Sequence, residues 1–430
     1  MSTAAPVVPD SSPIVLEKAE IRSWKAPIAF GVFVVLSVIL FFGFPRHGAS
    51  TFRFSENSDA IKLPNLTVDT QVTTVAVTIL LAILTAISGW YSWKARKTPI
   101  WMVVLFALIF MFGFLAWADS GSPYPVPITG LFLGTISLAV PLVFGALGGV
   151  ISERGGVVNV AIEGQLLAGA FVSAMTATLT GSWAVGLIAA MVAGVLVSFV
   201  LAAFAIKYLV DQVIVGVVLN VLVVGLTNFL YSQVLAVDPP VLNHPPRLPS
   251  WPIPLLSEIP VVGKVLFDQS IIEYLMYIAV FVVWYGLFKT RWGLRLRSVG
   301  EHPEAADTVG INVNSTRFWN VSLAGAVAGL GGAYFTLGSV GAFSKEMTAG
   351  QGFIALAAVI FGRWDPIRAT LAALLFGFAT NLQNVLSIIG SPVPSEFMLM
   401  LPYVVTIFAV AGLVGVSRAP AADGKPYIKS

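Results

Sequence analysis

The sequence predicts an all-α fold, a polytopic transmembrane helical bundle of about twelve spans. Of its 430 residues, 57% are hydrophobic and only 10% are charged, and the mean hydropathy is +0.88. An ordinary soluble domain carries roughly 25% charged residues. Because the hydrocarbon core of a membrane has no water for an open backbone, apolar runs of about 20 residues are expected to cross it as helices.

Twelve apolar segments follow one another along the chain. The tenth is short, and "GRWDP" separates it from the eleventh, so this pair is compatible with two spans, a hairpin or a broken helix. Asp10, Glu17 and Glu20 precede the long first segment, which predicts a signal anchor rather than a cleaved signal peptide. The predicted segments are residues 26–44, 72–90, 100–117, 128–150, 157–179, 184–208, 213–235, 271–288, 318–337, 353–361, 367–389 and 398–416.

The basic residues orient these segments. With both termini on the same side, 18 of the 24 Lys and Arg residues fall on that side, and the positive-inside rule makes it the cytoplasmic side. We therefore expect a multi-pass protein of the cell membrane with both termini in the cytoplasm. The six residues on the outer side are Arg46, Arg53, Lys62, Arg247, Lys264 and Lys345.

Composition also excludes several kinds of chemistry. The net charge of +3 is explained by the basic cytoplasmic loops, so no nucleic-acid partner is expected. The chain has no cysteine, which excludes disulfides, thiolate metal sites and catalytic thiols. His47, His244 and His302 are scattered, which argues against a histidine metal site. We expect neither a metal nor a cofactor.

Motifs of the common membrane hydrolases are missing. The chain has no G-x-x-x-x-G-K-[ST] phosphate loop, because its two Gly-Lys pairs continue with Val265 and Pro426. Neither H-E-x-x-H nor G-x-S-x-G occurs. These absences favour transport over catalysis.

The stretch "SERGGVVNVAIEG", residues 152–164, places polar groups between two apolar segments. Its first acidic and basic residues, Glu153 and Arg154, are compatible with a cytoplasmic turn. Asn159, Glu163 and Gln165 interrupt the next apolar segment, and the i, i+4 spacing predicts Asn159 and Glu163 on one helix face. Two readings of Glu163 remain open: a position on a substrate path beside a broken helix, or a structural role in which it pairs with Arg154 or caps a neighbouring helix.

Milder polar positions occur in two later segments. Asn220 and Asn228 lie near one face of the seventh segment, and Asn381 and Asn384 share a face of the eleventh. Such amides either hydrogen-bond between helices or line a pathway for a neutral, hydroxyl-rich solute. Small-residue pairs predict close helix packing, namely Gly145 with Gly149 and Gly325 with Gly329.

Two loops are long. The cytoplasmic loop, residues 289–317, is basic at its start, and the outer loop, residues 236–270, is rich in proline. A long ordered loop is more often functional than a short one, although a solvated connector and a rigid cap are the plain alternatives.

Three separate stretches resemble one family of membrane proteins. They are "LGGVISERGGVVNVAIEGQLLAGAF" from residue 147, "RWGLRLRSVGEHPEAADTVGINV" from residue 291 and "GQGFIALAAVIFGRWDPIRATLAALLFG" from residue 350. They resemble the membrane permeases of bacterial nucleoside and simple-sugar ATP-binding-cassette (ABC) importers, the branch related to ribose and branched-chain amino acid permeases. The resemblance covers residues 128–418. We therefore expect an N-terminal extension with three spans (residues 1–120), a permease core (121–418) and a cytoplasmic tail (419–430).

The resemblance implies a permease subunit that is not itself an enzyme. Two permease subunits, identical or related, would form the pathway, two cytoplasmic ABC ATPase subunits would hydrolyse ATP, and an extracytoplasmic solute-binding protein would deliver a nucleoside or a simple sugar. The proline-rich outer loop is then the expected docking surface for the binding protein. The expected substrate-pathway residues are Asn159, Glu163, Gln165, Asn220, Asn228, Asn381 and Asn384.

The stretch "EAADTVGI" resembles the coupling loop of these permeases, whose short helix docks on the ATPase. Pro303 is suited to the first turn of such a helix and Gly310 to its end. The expected ATPase-coupling residues are Glu301, Pro303, Glu304, Ala305, Ala306, Asp307 and Gly310. The rival hypothesis is a self-sufficient secondary transporter or channel for a small polar solute, in which Glu163 is a proton or cation site.

Overall fold

A computed structural model describes residues 23–56, 59, 61–391, 393, 394, 396, 397, 400 and 418–429 of the chain. The described residues form two compact units. Residues 23–49 and 68–120 make the first unit, and the described residues of 50–67 and from Gly121 onward make the second. The predicted twelfth segment, residues 398–416, lies outside the described residues apart from Met400.

The first unit contains three long apolar helices, α1 (Lys25–Gly43), α2 (Thr70–Trp93) and α3 (Ile100–Ala118). Asp69 starts α2 because its side chain accepts the N–H of Val72 at 2.9 Å. Phe30 of α1 stacks on Phe106 of α3 with 4.0 Å between ring centroids. The indole N–H of Trp117 donates to the carbonyl of Phe44, which ties the last turn of α3 to the end of α1.

The helices of the second unit largely follow the predicted segments. They are α4 (Ile128–Arg154), α5 (Ile162–Thr180), α6 (Trp183–Lys207), α7 (Gln212–Leu235), α8 (Pro239–Leu242), α9 (Val262–Phe267), α10 (Ile271–Lys289), α11 (Arg291–Glu301), α12 (Pro303–Thr308), α13 (Val313–Val340), α14 (Gln351–Phe361) and α15 (Pro366–Ile388).

Five short strands complete the described secondary structure. They are β1 (Ala49–Arg53), β2 (Leu66–Asp69), β3 (Val126–Pro127), β4 (Ser250–Pro252) and β5 (Asp268–Ser270). β1 runs parallel to β3, with Phe52 opposite Val126. β4 and β5 form an antiparallel pair that closes the proline-rich loop, with Trp251 opposite Gln269.

Ten helices in the described part of the chain are long and apolar enough to cross a membrane, and α14 is an additional short one. The all-α bundle is therefore confirmed, with the predicted count of about twelve correct only approximately. One predicted boundary is wrong, because α5 begins at Ile162 rather than near residue 157. Asn159 consequently precedes the helix and does not share a helix face with Glu163.

Local capping explains where several helices begin. Asp211 accepts the N–H groups of the first turn of α7, and Asp365 accepts the N–H of Arg368 at the start of α15. Asn312 caps α13 and Thr290 caps α11 in the same way. Each of these side chains satisfies a backbone donor that has no partner within its helix.

One end of the second unit, which we call the basic end, contains Arg154, Arg317 and Arg363. Arg154 donates to the carbonyl oxygen atoms of Arg363 and Trp364, and Arg317 donates to the carbonyl of Gly155. α4 ends here, and α13 and α15 begin here. At the other end of α15, which we call the opposite end, Ser122 donates to the carbonyl of Ile389.

Small residues let the central helices of the second unit approach closely. A Cβ atom on Gly325 of α13 would overlap Ser198 and the carbonyl of Gly194 in α6, and a Cβ on Gly329 would overlap the carbonyl of Ala190. On α4, a Cβ on Gly145 would lie 2.9 Å from the Cβ of Ala355, and one on Gly149 would lie 2.7 Å from Val359. The predicted close packing at both glycine pairs is confirmed.

We expect Gly325→Ala to destabilise the protein by about 1–3 kcal/mol, because the methyl group has no space between α13 and α6. Gly225→Ala on α7 is the matched control, since no atom lies within 4 Å of its added Cβ and the change favours the helix by roughly 0.5–1 kcal/mol. Thermal unfolding of the purified protein in detergent measures both. Equal midpoints for the two variants would contradict the close packing.

Candidate functional site

An irregular segment, residues 155–161, separates α4 from α5 and is held by side-chain amides. The N–H of Val158 donates to Oε1 of Gln212 at 2.7 Å, and Nδ2 of Asn220 donates to the carbonyl of Val160 at 2.9 Å. Irregular backbone is tolerated within a membrane protein where its polar groups find partners inside the protein. These two amides of α7 provide such partners.

Asn159 and Gln165 form a buried amide pair at the same place. Nδ2 of Asn159 donates to Oε1 of Gln165 at 3.1 Å, and Nε2 of Gln165 donates back at 3.2 Å and also to Ser198 at 2.9 Å. Both side chains are fully buried. Asn220 of α7 contacts the start of α5 beside this pair, because its Oδ1 atom accepts the N–H of Gly164 at 2.8 Å. Four predicted pathway residues, Asn159, Glu163, Gln165 and Asn220, therefore lie around the start of α5.

Glu163 joins the start of α5 to the start of α14. Its Oε1 atom accepts the hydroxyl of Thr348 at 2.6 Å and the N–H of Gly350 at 2.9 Å, and its Oε2 atom accepts the N–H of Gly352 at 2.6 Å. Arg154 does not reach it and donates instead to Trp364. Of the structural alternatives, capping of a neighbouring helix is thus the one that the structure contains.

α14 is a short helix that follows an irregular segment. Its 11 residues span about 16 Å at 1.5 Å per residue, which is roughly half of a 30 Å hydrocarbon core. Residues 341–350 connect it to α13 without regular structure, and Gly341 and Gly350 both have positive φ angles, +82° and +83°. The chain therefore begins α14 from a turn, with Glu163 at its N-terminus.

Two amide oxygen atoms beside this break have no hydrogen-bond partner among the described residues. Nδ2 of Asn228 donates to Oε1 of Glu346 at 3.0 Å, but Oδ1 of Asn228 is buried and accepts no hydrogen bond from the described residues. The same holds for Oε1 of Gln351, at the first position of α14. A buried acceptor without a donor costs about 1–3 kcal/mol, so both positions favour a polar occupant.

The two predicted pathway residues of α15 lie elsewhere. Nδ2 of Asn381 donates to the carbonyl of Leu131 at 2.7 Å and of Gly130 at 3.3 Å, so it holds α15 against the first turn of α4. Asn384 is exposed and has no side-chain hydrogen bond among the described residues. The structure does not bring these two amides to the cluster around α5.

The predicted short helix at the basic end is present as α12. Pro303 is its first residue, and Gly310 ends the turn that follows with a φ angle of +85°. Ala306 is buried, Asp307 is half-buried, and Glu301, Glu304 and Ala305 are exposed. The preceding residues were expected to be a basic loop, but they form the amphipathic helix α11, which buries Leu296 and Val299.

Residues 418–429 lie against this end, which the sequence did not predict. Nη1 of Arg317 donates to the carbonyl of Lys425 at 2.9 Å, and the side chain of Arg317 is only 2% exposed. Burial raises the pKa of Asp423 to about 7, although an N–H from Gly424 and the charge of Arg317 act in the other direction. Glu153 is the other acid nearby, and the indole of Trp364 donates to it.

The opposite end has a cavity of about 620 Å³. Its lining includes Thr178, His244, Arg247 and Gly341, so it lies where the proline-rich loop meets the end of α13. Asn243 fixes this loop, because it accepts the N–H of Phe343 at 2.7 Å and donates to its carbonyl at 2.9 Å. Among the described residues, no group of His, Asp and Glu is arranged to hold a metal ion.

We expect Glu163→Gln to lower the stability by about 1–3 kcal/mol, because the amide nitrogen cannot accept and leaves at least one donor of residues 348–352 unpaired. Glu304→Gln is the matched control, since the same change is made on an exposed side chain. Thermal unfolding in detergent reads out both variants. A midpoint for Glu163→Gln equal to that of Glu304→Gln would contradict the capping role of Glu163.

We also expect residues 418–429 to bind less firmly as the pH rises. The pKa of Asp423 is higher in the bound segment than its ordinary value near 4. The stabilisation of the bound segment by the protonated carboxyl is therefore complete below about pH 4 and is lost as the pH rises through about pH 7. The chain lacks cysteine, so a spin label on Ile428→Cys reports the mobility of the segment by EPR. Mobility should rise between these pH values and change much less in Asp423→Asn, and a label on Val309→Cys is the control. Identical pH profiles with and without Asp423 would contradict the prediction.

The sequence of the chain is similar to the sequences of several known proteins. Residues 131–410 match the family described as the permease component of branched-chain amino acid transport systems. The guanosine ABC transporter permease protein NupQ of Bacillus subtilis is 44% identical, over 69% of this chain and 95% of its own length. The nucleoside ABC transporter permease protein NupC of Lactococcus lactis is 45% identical, over 68% of this chain and 94% of its own.

A third relative is more distant. The putative glucose ABC transporter permease protein TsgC13 of Haloferax volcanii is 36% identical, over 59% of this chain and 77% of its own length. No solved structure matches the chain. The family match covers more than half of the sequence and includes α5, α12 and α14, so the chain, a multi-pass membrane protein, belongs to this family of transport permeases.

Proposed function

We propose that the chain is the permease subunit of an ABC importer and that its solute is a nucleoside. The observation that carries the proposal is its similarity, over nearly their whole length, to proteins named as guanosine and nucleoside ABC transporter permeases. A simple sugar is the second candidate, supported by the more distant glucose permease.

The pathway that we propose passes the break between α13 and α14. Asn228 and Gln351 each present there an amide oxygen that no described residue pairs with, and these acceptors suit the hydroxyl and N–H groups of a neutral nucleoside. Asn159, Gln165 and Asn220 act behind them by holding residues 155–161 in place. A half-helix that begins inside the bundle beside irregular backbone is the arrangement that many transporters use for a binding site.

The driving force comes, in this proposal, from a separate ABC ATPase at the basic end. The distribution of Lys and Arg supports placing this end in the cytoplasm. α12 offers the ATPase an exposed face with Glu304, Ala305 and Val309, the last 75% exposed, while Ala306 anchors the helix underneath. The cell membrane is then the location, and both termini are cytoplasmic.

The remaining partners follow from the same division of labour. A second permease subunit, identical or related, completes the pathway. A solute-binding protein docks at the opposite end, where the proline-rich loop and the 620 Å³ cavity lie. The pinned loop gives it a firm surface, with Trp251 64% exposed.

The test is uptake of labelled guanosine into proteoliposomes that contain the full complex. We expect uptake that requires ATP, and competition by unlabelled nucleosides but not by glucose. Ala305→Arg should lower both ATPase co-purification and uptake by at least about tenfold, a loss of roughly 1.4 kcal/mol in docking. The yield of folded protein should not change, because Ala305 is exposed. Val237→Arg, 72% exposed in the loop at the opposite end, is the control and should keep the ATPase bound.

Uptake by the purified chain alone, driven by a proton gradient without ATP, would instead establish the rival secondary transporter. Competition by glucose but not by nucleosides would show that the solute is a sugar, and the class of transporter would stay the same.

A further inference from the structure

Residues 418–429 contact the end of α11 through their backbone. The N–H of Ala422 donates to the carbonyl of Gly300 at 2.9 Å, and the N–H of Ala421 donates to Oε2 of Glu301 at 3.2 Å. Ala422 is only 5% exposed. The segment is therefore bound to the residues that immediately precede α12.

The same segment packs beneath α12 itself. The ring of Tyr427 is 8% exposed and belongs to a small apolar cluster with Val299 of α11, Ala306 of α12 and Val313 of α13. The hydroxyl of Tyr427 also bonds to Asp307 of α12, whereas the ion pair between Lys429 and Asp307, at 3.9 Å with the lysine largely exposed, contributes little. A helix of six residues is not stable alone, so α12 depends on such contacts for its position.

A third set of contacts connects the segment with residues 155–161. Arg317 donates from Nη1 to the carbonyl of Lys425 and from Nε to the carbonyl of Gly155 at 3.1 Å. Gly424 lies so close to Val158 that a Cβ on it would be 3.4 Å from that side chain. Residues 418–429 therefore touch both α12 and the irregular segment that carries Asn159.

We propose that residues 418–429 are a strap that positions α12 against residues 155–161, so that displacement of α12 by the ATPase reaches the solute pathway. This inference rests on the proposed function, because it assigns the route by which a docked ATPase acts on that pathway. Tyr427 is the main positioning residue on the α12 side, and Arg317 links the strap to the pathway side.

The ring of Tyr427 couples the movement of α12 to its neighbours. Without the ring of Tyr427, the inner face of α12 loses part of the apolar contact around Ala306, and the helix can move without moving its neighbours. The outer face of α12 does not involve the strap, because Glu304 and Ala305 are exposed. Docking and transmission are thus separable by substitution.

The test measures ATP hydrolysis and solute uptake together in proteoliposomes of the full complex. We expect Tyr427→Ala to keep the ATPase bound and hydrolysing at close to the wild-type rate, while uptake per ATP falls by at least about fivefold, the lower range of coupling between two sites. Tyr427→Phe keeps the buried ring and should restore coupling. Ile428→Ala is the neighbouring control, because that side chain is 72% exposed.

Uptake per ATP that stays at the wild-type value in Tyr427→Ala would overturn the strap, and so would release of the ATPase, which would make the segment part of the docking surface. A complex in which Tyr427→Phe is as uncoupled as Tyr427→Ala would also overturn it. These outcomes differ from failure of the proposed function, which would appear in the wild-type complex as the absence of ATP-dependent uptake.

Discussion

Two helices begin inside the bundle at one carboxyl group, that of Glu163. Its two oxygen atoms accept three donors from residues 348–352, while its own backbone lies in the first turn of α5. Among the described residues these donors have no other acceptor, and a buried N–H group without one is costly. This one interaction lets the chain place two irregular segments, residues 155–161 and 341–350, side by side without a large penalty in unpaired backbone groups.

The two ends of the second unit act on this centre in different ways. At the opposite end, Asn243 pins the proline-rich loop to Phe343, which lies in the irregular segment that leads to α14. At the basic end, Arg317 joins residues 155–161 to the C-terminal strap and through it to α12. Each end of the second unit has in this way a short physical connection to the candidate pathway.

The sequence predicted the bundle, most helix positions and the short helix α12, because apolar length, Pro303 and Gly310 are local signals. It also singled out Glu163 as unusual but left its partner open, since the partner lies 185 residues away at Thr348. The start of α5 was misplaced because residues 157–161, apolar except for Asn159, look helical, whereas Gln212 and Asn220 hold them in another conformation. The role of residues 418–429 had no signal, because their contacts with Arg317 and Glu301 are mostly made by their backbone.

Hydrogen–deuterium exchange of the wild-type protein in lipid nanodiscs tests the central interaction most directly. The amides of Gly350 and Gly352 precede or begin a helix, and without an acceptor they would exchange as quickly as a loop. If Glu163 accepts both, we expect slow exchange at the two amides, comparable with the middle of α14. Exchange as fast as in the exposed part of the proline-rich loop would contradict it, because Glu163 would then not hold the two helix starts together.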